Sequence, residues 1–355
     1  IHSMNKKAML LAASLLLGLP AANAAALTSS DFTDLQDLDA STRAKLDALI
    51  QAGVFNGMGN GIFGINEEMN RAQFAKVAAL ITGLEVDKDL KTSSFKDVAA
   101  DSPDGYALPY IEAIWKAGIT EGVGDGNFNP GGTVTKEQLA TFLVRVLGQE
   151  ANSSSPTLQD PTVSPWAKQY VATAIELKLL SAGADGQFSG QTQATRDLLV
   201  LGSYETKKQI ESASPIKVSG ADFASGNRLL LTLTAAIDGS TIDLSKITIN
   251  GVPLDPNRDR FVLSDDKKTI TIILGSGFTL DPSKTPVIEV GGVKTLFGTD
   301  VKSGGGEAPV PVTVTVPPPA PQPPSNSSST PIPVPKVTID EAHGEIGTDS
   351  ARYGV

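Results

Sequence analysis

The chain of 355 residues has no cysteine, which excludes disulfides, thiolate nucleophiles and zinc–thiolate sites. Its two histidines, His2 and His343, stand at the two extremities. A Ser-His-Asp relay or a multi-histidine metal site within a folded domain is therefore not expected. Aromatic residues are sparse, at 5%. Positive charge is also short, with 29 Lys and Arg against 39 Asp and Glu and a net charge of -10. That balance argues against a nucleic-acid partner, which needs a basic face to displace counterions. An anionic ligand must then be held by local chemistry, because the long-range field repels it. A carboxylate-only enzyme is the catalytic class that composition leaves open.

No apolar run is long enough to span a bilayer. AMLLAASLLLGL covers 12 residues after the basic Lys6-Lys7 and ends at Pro20, with small residues in Ala22-Asn23-Ala24. This pattern reads as upstream residues and an export signal over 1–24, cleaved near Ala24, with no transmembrane segment in the mature chain.

What is present is a repeat. Three segments, 31–83, 94–148 and 157–208, share one order of parts, and their openings Phe32, Phe95 and Leu158 stand 63 residues apart. Each opens with F/L-x-D and continues into a helix with apolar residues at helical spacing, such as Ile111, Ile114 and Trp115. A glycine turn follows, then an aromatic anchor at Phe63, Phe128 or Phe188. A second helix then starts with a cap and a cation: Asn70-Arg71, Thr135-Lys136 and Thr195-Arg196. Asn70 and Gln73 have capping-box spacing.

The cation is misplaced for a helix start, where the positive end of the dipole disfavours it by about 0.3–1 kcal/mol. Yet it recurs eight residues beyond the phenylalanine in all three repeats. Free backbone N–H groups with an adjacent cation would make a pocket for an anion, worth roughly 1.5–3 kcal/mol per charge-assisted hydrogen bond. The other reading is a cation that faces water or pairs with a neighbouring acid such as Glu67.

These segments resemble S-layer homology (SLH) modules. The matching residues are Phe95-Lys96-Asp97-Val98, Trp166-Ala167, Gly118-Ile119-Thr120-Glu121-Gly122, Asp125-Gly126-Asn127-Phe128 and Asn70-Arg71-Ala72-Gln73. The resemblance covers about residues 31–207. It implies a pseudo-threefold unit with a central helix bundle and grooves between modules that bind secondary cell-wall polymer. It further implies that Arg71, Lys136 and Arg196 meet the carboxylate of a pyruvylated N-acetylmannosamine. Gly53, Gly57, Gly118, Gly122, Tyr106, Trp166, Gln73 and Gln138 would shape the grooves. The first repeat lacks the aromatic–alanine pair, and Lys136 lacks the planar fork of arginine. In the third repeat Leu179 stands at the place given to Gly118 and Leu198 at the cap-closing position, so this groove is expected to be the weakest. Asp125-Gly126-Asn127-Phe128-Asn129 is no calcium loop, since Pro130 and Lys136 replace the required glycine and glutamate.

From about Pro215 the pattern alternates. Residues 227–234, 246–251 and 268–274 read as strands between Gly, Asp and Pro turns, giving an Ig-like β-sandwich over 215–301. Residues 303–335 read as a Pro/Ser/Gly-rich spacer and 336–355 as a truncated tail. The expected fold class is thus multidomain, α then β.

The expected function is anchoring an exported S-layer-type protein, not an enzyme, to the secondary polymer of a Gram-positive-type wall. Self-assembly into a lattice would accompany it; neither metal nor cofactor is expected. The alternative is an SLH-anchored fragment of a glycan-degrading enzyme whose catalytic domain is missing, since no carboxylate pair stands out after residue 215.

Overall fold

The computed structural model describes residues 27–148, 157–224, 227–278, 286–303, 310–311 and 313–314. The expected export signal lies outside these residues, as do the tail and most of the spacer. Six helices come first: α1 (Ala40–Gln51), α2 (Arg71–Thr82), α3 (Leu108–Lys116), α4 (Lys136–Val146), α5 (Lys168–Glu176) and α6 (Arg196–Ala213). Each repeat supplies two. The second helices α2, α4 and α6 pack on one another, and Phe74 of α2 stacks on Phe142 of α4 at 4.7 Å. The first helices lie outside them in three seams, α2/α3, α4/α5 and α6/α1. Every seam therefore joins two different repeats, and the last repeat closes on the first.

The F/L-x-D opening has a structural cause. Asp34 accepts hydrogen bonds from the Phe63, Gly64 and Ile65 amides at 2.8, 2.7 and 3.3 Å. Asp97 accepts from Phe128 and Asn129 at 2.8 and 2.7 Å, and Asp160 from Phe188 at 2.7 Å. A carboxylate thus folds the anchor loop of its own repeat around a buried phenylalanine. Phe32 meets Phe63 edge-on at 5.6 Å, and Phe95 lies 5.4 Å from Phe128.

The carbonyls of each loop then receive the helix start of another repeat. Arg71 and Ala72 donate their amides to Gly132 and Pro130 of the second repeat. Lys136 and Glu137 donate to Thr192 and Gly190 of the third, and Arg196 and Asp197 to Glu67 and Ile65 of the first. Two of the orphan amides at each helix start are satisfied this way. The expectation of free amides in an anion pocket is corrected here, since neighbouring carbonyls already occupy them.

Two smaller expectations also change. Gly53 and Gly118 take φ of +73° and +75° after α1 and α3, and the residue doing so after α5 is Lys178 at φ 59°. Leu179 therefore matches Ile119 and not Gly118; its amide reaches Ala174 as that of Ile119 reaches Ile114. A lysine at positive φ hides the third copy of the turn from a residue-by-residue match. Trp115, expected among the inward-facing positions with Ile111 and Ile114, is 42% exposed while those two are buried.

The β region holds a five-stranded sheet, β5-β6-β2-β1-β9, and a four-stranded one, β4-β3-β7-β8. The strands are β1 (Val218–Ala224), β2 (Arg228–Leu233), β3 (Ile247–Ile249), β4 (Val252–Pro253), β5 (Arg260–Leu263), β6 (Thr269–Ile273), β7 (Val287–Val290), β8 (Val310–Pro311) and β9 (Thr313–Val314). The pairings are antiparallel except β1 with β9. Alternating residues such as Leu229, Leu231, Ile247, Ile249, Ile270 and Ile272 form one core for both sheets. Strands β8 and β9 fall inside the expected spacer, so the sheets extend past residue 301. Their Val-Pro alternation has the composition of a linker, and only pairing with β7 and β1 makes it strand.

Burial raises the carboxyl pKa of Asp34 and Asp160, but the amide bonds, with the Thr162 hydroxyl at Asp160, outweigh it and hold both below the ordinary 3.8. A depressed folded-state value stabilises the fold above about pH 3.8 and is lost as pH falls through it. Equilibrium denaturation at pH 5 and pH 3 is expected to show lower stability at pH 3, with a smaller difference in Asp34→Asn. Asp34→Ala, which strips three amides of their acceptor, is expected to cost about 2–4 kcal/mol at neutral pH by urea unfolding.

Candidate functional site: the helix starts at the repeat seams

Arg71 is 6% exposed. Its Nε donates to the Phe128 carbonyl at 2.7 Å, and its guanidinium lies 4.6 Å from the Phe128 ring centre and 5.2 Å from that of Phe142. Contacts of this kind are worth up to about 2 kcal/mol when desolvated. Its Nη2 is buried and has no hydrogen-bond partner among the described residues. Burial lowers the arginine pKa, opposed by Asp97.

Arg196 is fully enclosed, at 0% exposure. Its guanidinium sits 4.6 Å from the Phe63 ring centre and 5.8 Å from Phe55, and Nη2 donates to the Asn56 carbonyl at 3.1 Å. Burial brings its pKa down to about 10, against the opposing influence of Tyr106, Asp34 and Glu67. Lys136 is half-buried. Beside it the buried Glu137 takes the Ser164 amide on Oε2 at 2.9 Å, tying α4 to the entry of α5.

The fixed eight-residue offset therefore has a different meaning from that of a local pair. Arg71 meets Phe128 of the next repeat, and Arg196 meets Phe63 of the first; neither rests on the phenylalanine of its own repeat. Sequence order alone hides this exchange. It also missed the role of Asp34, Asp97 and Asp160, although their recurrence about 30 residues before each anchor turn was a visible signal.

The other expected residues divide by seam. Tyr106 enters α3, and the Lys76 ammonium of α2 lies 5.9 Å from its ring centre, so Arg71 and Tyr106 flank one seam. Trp166 is 56% exposed at the entry of α5, flanking the seam of Lys136. The entry of α1, at the α6/α1 seam, carries no matching aromatic, and Tyr106 is near enough to Arg196 to act on its charge. The Gln73 and Gln138 side chains close capping boxes by accepting the Asn70 and Thr135 amides, each at 3.0 Å. Gly57 and Gly122 let the loop pass the openings of their repeats: a Cβ at Gly57 would come within 2.2 Å of the Phe32 ring, and one at Gly122 within 2.7 Å of the Phe95 ring. Gly53 and Gly118 meet nothing within 4 Å and serve the left-handed helix end.

Because Arg71 bonds a backbone carbonyl and touches two rings across a seam, Arg71→Ala is expected to destabilise the helical unit by about 2–4 kcal/mol. Arg71→Lys retains the charge and is expected to lose less. Urea denaturation followed by circular dichroism at 222 nm checks both; an unchanged midpoint in Arg71→Ala would contradict the packing role.

The S-layer homology domain family matches this chain in three segments, residues 31–75, 94–140 and 160–197. The chain is 28% identical to S-layer protein sap of Bacillus anthracis over 259 residues, covering 69% of this chain and 30% of that protein. It is 28% identical to the surface-layer 125 kDa protein of Lysinibacillus sphaericus over 247 residues, 68% of this chain and 19% of that one. An amylopullulanase of Thermoanaerobacterium thermosulfurigenes is 29% identical over 171 residues, 46% of this chain and 9% of the enzyme. The aligned part is thus less than a third of each of these relatives. Among solved structures, the N-terminal part of the bacterial S-layer protein SbsC aligns at a TM-score of 0.27 and 16% identity, covering 70% of this chain and 51% of that one, too low a score to bear on the fold. Three segments of the chain therefore match the S-layer homology domain family, in tandem ahead of its β region.

Proposed function

We propose that the helical unit anchors the chain non-covalently to the cell wall by holding an acidic secondary wall polymer at the seams between repeats. The S-layer homology domains place the protein at the cell surface or wall. The observation that carries the anchoring mechanism is the Arg71 Nη2, a buried guanidinium nitrogen with no hydrogen-bond partner among the described residues, at a seam that Tyr106 also borders. A ligand carboxylate reaching it gains a charge-assisted hydrogen bond of about 1.5–3 kcal/mol that water-exposed cations do not offer. The pyruvyl ketal of an N-acetylmannosamine is the carboxylate proposed, with Tyr106 and Trp166 as walls for the sugar rings. The amides at the helix starts are not part of this site, so the side chain carries the recognition.

The ring of hydrogen bonds from repeat to repeat supports reading the three domains as a pseudo-threefold unit. Two sheets sharing one core support an Ig-like module behind it. The chain acts as an anchor and lattice-forming segment and not as a catalyst. Relatives named as an amidase and an amylopullulanase align over only 24% and 9% of their lengths.

Titration calorimetry of the whole chain with isolated wall polymer is expected to show binding. Chemical removal of the pyruvyl group is expected to weaken it at least about tenfold, the equivalent of about 1.4 kcal/mol. Equal affinity for the two polymers would overturn the carboxylate mechanism.

A further inference from the structure

The three seams are not equivalent, and the α6/α1 seam differs in more than its missing aromatic. Helix α6 has 18 residues where α2 and α4 have 12 and 11. Its extra turns carry Gln209 and Glu211, positions the other two helices have no length to match. Tyr204 stands 5.4 Å from Phe297, a buried ring from the β region that lies in the hydrophobic core of the helices. Glu211, buried, accepts a 2.7 Å hydrogen bond from the Thr295 hydroxyl, whose oxygen in turn takes the Phe297 and Thr299 amides at 3.2 and 3.1 Å. Lys207 reaches the Ile81 carbonyl at the end of α2 at 3.1 Å, and Gln209 reaches the Leu177 carbonyl after α5.

The same helix face closes over α1. Lys45 bridges to Glu205 at 3.1 Å and its ammonium lies 5.5 Å from the Tyr204 ring centre. Lys45, Tyr204 and Phe297 form one stack running from α1 through α6 into the β region. At the far end of this seam Arg196 is sealed between two rings and bonded to the Asn56 carbonyl.

We infer that the α6/α1 seam is a joint and not a ligand site: it fixes the β region to the helical unit and leaves the other two seams to take the wall polymer, an assignment that rests on the anchoring function proposed above. Arg196 is fully enclosed, whereas Arg71 in the first seam keeps 6% of its surface exposed. A polymer held at α2/α3 or α4/α5 then sets the direction in which the β region leaves the wall, because no free hinge lies between them.

Two measurements on the whole chain test this. Scanning calorimetry is expected to show the helical and β regions unfolding in one coupled transition. Phe297→Ala and, with no large cavity, Thr295→Val are each expected to resolve a second transition or lower the midpoint by about 3–6 °C. Two independent transitions in the unaltered chain, or no change in either variant, would overturn the joint. Titration with the pyruvylated N-acetylmannosamine monosaccharide is expected to give no more than two equivalents per chain, with one lost in Arg71→Lys and none lost in Phe297→Ala. Three equivalents would overturn the assignment of the third seam. Failure of the sugar to bind at all would sink the anchoring function, while calorimetry would still decide the joint.

Discussion

A helix cannot begin inside a protein unless its first amides find acceptors. In this chain α2, α4 and α6 meet one another at the centre, so their starting amides are held against other repeats and away from bulk water. The acceptors are carbonyls from a different repeat each time: Pro130 and Gly132, Gly190 and Thr192, Ile65 and Glu67. Those carbonyls are aimed correctly only because Asp34, Asp97 or Asp160 gathers the amides of the same loop. One carboxylate therefore shapes a loop, the loop caps the start of a neighbour's helix, and the helices together form the core. Remove the carboxylate and the acceptors lose their aim.

The cations belong to the same arrangement. Arg71 and Arg196 lie where their helices enter this interface, each guanidinium 4.6 Å from the ring centre of Phe128 or Phe63. Burying them is costly in solvation, and the rings and backbone carbonyls offset that cost. Under the anchoring function proposed above, recognition and folding share atoms. A substitution at Arg71 then changes both together, and measurements of binding have to be read beside measurements of stability.

Much of this was legible in the sequence. The repeat, its helix pairs, the Asn70–Gln73 capping box and the three inner strands near 228–233, 247–249 and 269–273 follow from spacing and from side-chain periodicity. What spacing does not carry is which copy touches which. The constant offset from Phe63 to Arg71 is the repeat length at work, while the contact runs from Arg71 to Phe128. Lys178 at φ 59° has no signature of a turn residue, and β8 and β9 have the composition of a linker. In each instance a long-range partner decides the outcome, and local composition cannot report it.

The circular order of the docking has an evolutionary consequence. In open repeat arrays each unit leans only on the next, so copies are gained or lost at the ends, with terminal caps to cover the exposed face. Here the unit from Arg196 leans back on Ile65 and Glu67, leaving no end to cap. Deleting any one copy orphans both remaining neighbours, and inserting a fourth must first break the closure. Duplication by single units is thereby blocked, and such a module can spread only as a complete triplet.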